Sequence, residues 1–529
     1  MSLNNHLACL SSAQNSKALS GIVRGVEKES LRVNAEGYLA SSAHPKSLGS
    51  ALTHPSITTD YSEALLEFIT APSCSIQQVL SELDDIHRFT YQQMGEELLW
   101  VSSMPCQLRS DSQIPIGDYG TSNIGTMKKV YRIGLGHRYG RAMQTIAGIH
   151  YNFSIPDNLW RLLQENSQNN QSLQDFKSAG YFALIRNFRR YSWLLIYLLG
   201  AAPAVCKSFV AGRSHRLIPV DCDTHSLHTP HATSLRMGDL GYQSDAQSTL
   251  MISYNSLEHY IKTLREALQK PYAAYDKIGL KDQQGNYKQL NTHLLQIENE
   301  FYSAIRPKRT TADGETPLQA LEKRGVEYIE VRCLDVNPLI TGGIDALTMR
   351  FLDVFLTFCL LSDSPQTDSE EYARIPENLM RTVYNGRDPL LTLMDTEGER
   401  TLKDWGSDLL SAMQGVAEIL DQAQGTDCPE TLHGDALSIM QTRLNDPEAT
   451  PSAMLLAEMR ENNETYFAMA MRKTLQQRDY FLERPVDGTC LAKYQRLATQ
   501  SHDQQAAIEA SDRLSFDKFL ADYWRSSST

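Results

Sequence analysis

"RGVEKESLRV", residues 24–33, sets Glu27 and Glu29 two positions apart. In an extended segment side chains alternate faces, so the two carboxylates point the same way and stand in each other's field. At an effective dielectric near 20, like charges about 4 Å apart repel by about 4 kcal/mol, so a partly buried pair requires a cation between its members or a shared proton. A solvated edge strand, its acids neutralised by Arg24, Lys28 and Arg32, would use the same residues. Charged runs usually face water, and read alone the stretch favours that second form. The rest of the chain has to decide.

Three further segments alternate with one polar face. In "GIHYNFSI", Ile149, Tyr151 and Phe153 oppose His150, Asn152 and Ser154; in "EYIEVRCLD", Ile329, Val331 and Cys333 oppose Tyr328, Glu330 and Arg332. In "LQIENEFY", Leu295, Ile297 and Phe301 oppose Gln296, Glu298, Glu300 and Tyr302. Sheets with one packed and one open face are typically antiparallel, so the expectation is an α+β protein with a curved antiparallel sheet flanked by helices, its open face rich in carboxylates.

The polar faces gather candidate ligands: Glu27, Glu29, Asp60, Glu67, His150 and Glu330, with Glu67 inside the apolar run "ALLEFIT", where a lone carboxylate is costly. Hard and borderline donors of this kind suit Mg²⁺, with Mn²⁺ as the alternative; a zinc hydrolase would show more histidines. Taken singly, each has an ordinary structural role open to it: a strand histidine, half of an ion pair, a turn aspartate. Basic residues follow in "IRPKRT", Arg306, Lys308 and Arg309, and Arg332 shares a face with Glu330. Such cations stabilise a transferring phosphoryl group, although Lys308 and Arg309 equally suit a solvated turn. "GTSNIGTMKK" lacks the Lys-Ser/Thr of a phosphate loop and "GLGHRYG" mis-spaces the dinucleotide glycines, so a bound nucleotide would be held through metal on a sheet.

The chain has 529 residues and a formal charge of -13, with 41% hydrophobic and 21% charged residues. That balance describes a globular protein and argues against a nucleic-acid surface. The N-terminus lacks a signal-peptide pattern, and the longest apolar run, "WLLIYLLGAAPAVC", is short for a membrane span and contains Pro203. The expectation is a cytoplasmic protein without membrane contact. Nine scattered cysteines without C-x-x-C imply reduced thiols. Cys333 beside Arg332 is either a thiol with a lowered pKa or a packed strand cysteine. Loops are expected at 164–175 and 362–372. The second divides a sheet-bearing catalytic region, 1–360, from a mainly helical region, 361–529, packed on it, with one continuous domain as the alternative. "SAGYFALIRNFRRYSWLLIYLLG" from Ser178 reads as a core helix, and the run from Pro451 to Leu482 as helical, capped by Thr450.

The stretches "GIVRGVEKESLRVNAEGYLA", "SALTHPSITTDYSEALLEFIT", "YGTSNIG", "MQTIAGIHYNFSIP", "ATSLRMGDLGY", "QIENEFYSAIRPKR" and "GVEYIEVRCLDVNP" together resemble the bacterial glutamate–cysteine ligase family. The likeness runs from about Gly21 to Pro338 and more weakly through "NGRDPLLTL"; beyond about residue 400 only helicity is shared. The resemblance implies a glutamine synthetase-like fold whose sheet curves into a funnel. It implies an ATP-dependent ligase that joins L-glutamate to L-cysteine, the first step of glutathione synthesis. The family's metal ligands fall on Glu27, Glu29, Asp60, Glu67, His150 and Glu330, which would leave Mg²⁺ holding Glu27 and Glu29 together. Arg332 and Glu330 would be catalytic, Arg332 facing the transferring phosphate, and Arg236 would hold a substrate carboxylate. Tyr131, Leu135, Tyr242 and Tyr302 would shape the cysteine pocket, with Gln144 and Asn152 also in the substrate-binding set. The sequence departs from the family pattern at Tyr61, where Phe occurs, and at Cys333, where Ser is common. Feedback inhibition by glutathione is common in the family, and a monomer or small homo-oligomer is expected. Another carboxylate–amine ligase, a silent ATP-binding protein and a metal-dependent phosphatase are the competing functions.

Overall fold

In this computed structural model the described residues are 2–528 apart from 106, 222, 241–244, 249, 313 and 425–431. The principal sheet consists of β1 (Val23–Val33), β2 (Ile57–Thr59), β3 (Leu65–Ile69), β4 (Leu98–Leu99), β5 (Ile149–Ser154), β6 (Ile305–Lys308) and β7 (Tyr328–Leu334). Its order is β2-β3-β1-β5-β7-β6, with β4 also paired to β1, and every pairing is antiparallel. β1 is therefore central.

That position decides the opening question. Arg24, Lys28 and Arg32 occupy the face of β1 opposite to Glu27 and Glu29, and each has partners there. Arg24 pairs with Asp353 at 2.7 Å and Arg32 with Glu97 at 2.6 Å. Lys28 Nζ lies 2.6 Å from Ser30 Oγ and 2.9 Å from His87 Nε2, and burial pushes its pKa down to about 7. None of the three neutralises the acid pair, so the solvated edge strand is excluded.

Helices cover the back of the sheet. They include α1 (Ile76–Gln93), α3 (Leu173–Leu199) and α4 (Ala346–Leu361), while α2 (Asn123–Tyr139) borders the open side. Ser75, Ser122, Ser172 and Asp345 begin these helices by accepting a hydrogen bond from a first-turn N–H. α4 is buried around nearly its whole circumference, Met349 to Leu361. Each large apolar side chain removed from water there contributes about 1.5–3 kcal/mol before entropy. α5 (Leu402–Gln424) packs on α4, and the chain closes with α6 (Gly488–Ser511) and α7 (Phe516–Ser528). No helix among the described residues is long and apolar enough to cross a membrane.

Local differences from the sequence reading have clear causes. α3 already starts at Leu173, because Ser172, inside the expected loop, caps it. The helical run from Thr450, a true cap, is broken into Pro451–Glu461 and Tyr466–Leu482 by a turn in which Asn463 has φ 51°. "LQIENEFY" is not a strand. Glu298–Glu300 forms a 3-10 turn, since the Glu300 carboxylate accepts the Gln296 N–H at 2.5 Å and curls its own backbone. In the next stretch, where the sequence leaves a solvated turn as an equal alternative for Lys308 and Arg309, Ile305–Lys308 forms the strand β6; its Pro307 is tolerated because β6 is an edge.

Candidate active site

The register of the sheet assembles the site. Glu27 on β1 lies opposite His150 on β5, and Glu29 lies opposite Glu67 on β3. Glu330 on β7 pairs with Asn152 on one side and Arg306 on the other. Asp60 follows β2, where its N–H donates to the Leu65 carbonyl and closes the turn into β3. Glu27, Glu29, Asp60, Glu67, His150, Arg306 and Glu330 border a cavity of about 860 Å³, together with Lys308 and Arg332.

His150 is the hub. Its Nδ1 lies 3.3 Å from Glu27 Oε2 and 3.7 Å from Glu330 Oε1, while Nε2 lies 3.7 Å from Glu29 Oε1. Glu29 also accepts the Gly148 N–H at 2.5 Å, and Glu27 accepts the Asn152 amide at 2.8 Å. Gly148 is required by this approach: a Cβ there would stand 2.0 Å from the Arg236 guanidinium.

The acids differ sharply in electrostatics. For Glu67, burial, followed by the charges of Glu27, Asp60 and Glu29, drives the carboxyl well above the usual range. Burial likewise raises Glu29 against the pull of His150. Burial also opposes ionisation of Glu330, but Lys308 at 3.4 Å and Arg332 at 3.1 Å outweigh it and hold the carboxyl well below its ordinary value. The protein's own cations thus serve the Glu330 end and leave Glu67 and Glu29 with an excess of negative charge.

Two ligand groups emerge among the described residues, Glu27–His150–Glu330 and Glu29–Glu67–His150, each with donor atoms within 4.8 Å of one another. Buried and half-buried carboxylates around one imidazole, with no protein cation paired to Glu29 or Glu67 beyond that imidazole among the contacts above, fit a hard divalent ion of the Mg²⁺ or Mn²⁺ type.

Of the other expected residues, Tyr131, Leu135, Gln144 and Tyr302 line the cavity, as does Tyr61. The additional hydroxyl of Tyr61 lies against Gly136, where a Cβ would meet it at 2.7 Å. Asn152 is held by Glu27, and Arg236 stands behind the cavity wall, buried, donating to the Arg332 carbonyl at 2.9 Å. Tyr242 lies outside the described residues. Arg309 turns away to Glu327 at 3.7 Å. Cys333 faces the core, where burial pushes its thiol up to about 12, so the lowered-pKa alternative fails.

Sequence reasoning missed most of α2. Lys128, Arg132 and Arg138 line the cavity beside Tyr131 and Leu135. Their helical spacing was the available signal, masked by the two glycine-rich patterns that the same helix contains. Arg138, fully buried, pairs with Glu300 at 2.9 Å and donates to Gln289 at 3.0 Å.

An open antiparallel sheet of an α+β protein thus turns carboxylates, one imidazole and paired cations toward one deep cavity, an arrangement suited to a metal ion and an anionic ligand. The comparisons with known proteins carry this further: the glutamate–cysteine ligase family model matches residues 7–382, and the chain belongs to that family. The glutamate–cysteine ligase of Alcanivorax borkumensis is 50% identical over 526 residues, covering 99% of each chain. That of Saccharophagus degradans is 49% identical over 519 residues, covering 98% of this chain and 97% of its own. The crystal structure of the Francisella tularensis glutamate–cysteine ligase in complex with AMP superposes with a TM-score of 0.89 at 38% identity, covering 96% of this chain and 98% of that one. These relatives span the C-terminal region too, where the sequence reading found helicity alone.

Proposed function

We propose that this protein joins the γ-carboxylate of L-glutamate to the amine of L-cysteine at the expense of ATP, yielding γ-glutamylcysteine, ADP and phosphate. This is the first step of glutathione synthesis. The observation that carries the reading is the convergence of Glu27, Glu29, Glu67 and Glu330 on His150, with Lys308 and Arg332 beside Glu330, on one cavity. The names of the close relatives agree with it.

A free carboxylate is a poor acylating agent. Transfer of the ATP γ-phosphate to the glutamate γ-oxygen gives an acyl phosphate with phosphate as leaving group; attack by the cysteine amine then forms the amide and releases phosphate. Glu27, Glu29, Asp60, Glu67, His150 and Glu330 would hold Mg²⁺ or Mn²⁺. Such ions offset the charge of the nucleotide phosphates.

The chain's own residues do the rest. Arg332, kept in place by Glu330, presents a guanidinium to the phosphoryl oxygens, and Lys308 adds a second cation. A carboxylate of the cluster that is not fully committed to metal takes the proton that the amine loses, while Glu330, held low by Lys308 and Arg332, keeps Arg332 in place. Tyr131, Leu135 and Tyr302 supply an apolar wall for the thiol, to which sulfur–aromatic contact adds. Glutathione, which contains the product dipeptide, fits the same polar cavity as a feedback inhibitor. The reduced thiols among the described residues suit a cytoplasmic enzyme.

The test is ADP release by the purified protein with Mg-ATP and glutamate, with and without cysteine, with mass spectrometry for the dipeptide. Cysteine-stimulated turnover with γ-glutamylcysteine is expected. ADP release with some other amine alone would replace the acceptor. No turnover under any divalent metal would overturn the reading.

A further inference from the structure

The sequence reading left the C-terminal region without a role, but one of its side chains reaches the cavity. Among the described residues that line it, Tyr523 alone comes from beyond Arg332. It is carried by α7, which is docked by several independent contacts. Leu520 is buried in a small apolar cluster with Met127 and Val130 of α2 and with Leu290, apart from the main core, and Tyr131 and Tyr523 border the same cluster. Asp517 pairs with Lys281 at 2.9 Å and accepts the Tyr287 hydroxyl, whose ring meets Phe516 edge-on at 5.2 Å.

The chain leading to α7 grips the beginning of α2. Glu509 accepts the Thr121 N–H at 2.8 Å, and Asp512 accepts the Asn123 N–H at 2.5 Å. The Leu514 carbonyl accepts from the Asn123 amide at 3.1 Å. The Asn123 N–H, at the first position of α2, has no partner within its own helix, so Asp512 ties α2 to the C-terminal arm at a point that the helix itself cannot satisfy, and Glu509 holds the residue before its cap. α2 in turn carries Tyr131 and Leu135 into the cavity.

We propose that α7 is a strap that completes the acceptor-amine pocket, and that Tyr523 is a specificity-determining residue for the side chain of the amino acid whose amine is acylated. This rests on the ligase reading above. Tyr523 borders the same apolar cluster as Tyr131, a residue assigned to the acceptor pocket, and comes from no strand of the carboxylate-bearing sheet, so it meets the acceptor and leaves phosphoryl transfer to the sheet.

The test compares Tyr523→Ala, Tyr523→Leu and Tyr523→Phe with the wild type, measuring KM for cysteine, glutamate and ATP separately and repeating the acceptor series with 2-aminobutyrate, in which a methyl replaces the thiol. For Tyr523→Ala a cysteine KM about three- to tenfold higher is expected, the size of one lost aromatic contact, with kcat and the other two KM values within about twofold. Tyr523→Phe retains the wild-type KM because the ring makes the contact. Tyr523→Leu, which keeps apolar packing on the cluster, gives an intermediate KM and a changed preference for 2-aminobutyrate over cysteine. An unmoved cysteine KM in both the Ala and Leu variants, or a rise only in the ATP or glutamate KM, overturns the proposal while wild-type dipeptide synthesis still stands. A wild type that makes no γ-glutamylcysteine overturns the ligase reading and this proposal with it.

Discussion

Glu29 and Glu67 face each other in direct register across the β1–β3 pairing, a buried and a half-buried carboxylate on neighbouring strands. Cross-strand like charges destabilise a sheet, so the apo protein holds this pair at a cost that a divalent ion would offset. Glu67→Gln keeps the shape and removes one charge. We expect the metal-free variant to unfold at a higher temperature than the metal-free wild type, by about 1–2 kcal/mol of stability, and to gain less from added Mg²⁺. Differential scanning calorimetry with and without chelator measures both. A variant less stable than the wild type without metal would show that the pair is not strained.

Gly148→Ala tests the close approach behind the site. The added methyl would run into Arg236, 2.0 Å from its ideal position, and push the Gly148 N–H away from Glu29. Displacements of about 1 Å in such a constellation can cost about 100-fold in rate. kcat should fall by at least about tenfold with an unchanged far-ultraviolet circular dichroism spectrum.

Arg332→Lys addresses the phosphoryl-facing cation. Lysine keeps the charge but loses the planar fork that contacts Glu330 at 3.1 Å. kcat should drop by about 10²–10³ while the ATP KM changes little, because the contact is strongest in the transition state. An unaltered kcat would remove Arg332 from the chemistry.

Beneath the sheet, Asp353 of α4 gathers Arg24 at 2.7 Å and the Tyr151 hydroxyl at 2.8 Å. His433 lies 3.8 Å from it and bonds Asp421 at 2.8 Å. Asp353→Ala leaves the Arg24 guanidinium buried and uncompensated, a loss of about 3–5 kcal/mol that urea denaturation would register.

The same network makes stability depend on pH from both sides. Burial opposes ionisation of Asp353, but Arg24 and His433 overcome it and its pKa falls below 3.8. Its contribution is complete above that ordinary value and is lost as pH falls through the lower folded one. Burial opposes charge on His433, yet Asp353 and Asp421 raise its pKa above 6.5. That contribution is complete below the ordinary value and is lost as pH rises through the raised one. Asp353→Asn should flatten both limbs in denaturation curves taken from about pH 3 to about pH 9.

The sheet strands with strict alternation were legible, because β5 and β7 bury one face and expose ligands on the other. β1 was ambiguous by itself, since its two charged faces, Glu27 and Glu29 on one side and Arg24, Lys28 and Arg32 on the other, look alike in a one-dimensional pattern. Only the central place of β1 in the sheet separates them. The segment around Glu300 misled for the opposite reason: its alternation was real, but a side-chain bond to its own backbone curled the chain. Tyr523 was out of reach because its place at the cavity comes from docking between segments far apart in sequence.

Cys333 adjoins Arg332 in the chain yet points into the core, its thiol suppressed by burial. On the proposed ligase reading, an enzyme whose substrate carries a thiol would keep a chemically quiet sulfur of its own next to Arg332, one that neither competes for an activated acyl group nor yields readily to peroxide. Among the described cysteines Cys74 alone is exposed, and of these it is the thiol that an alkylating reagent should reach first. The protein could be tagged there while the machinery of the sheet stays untouched.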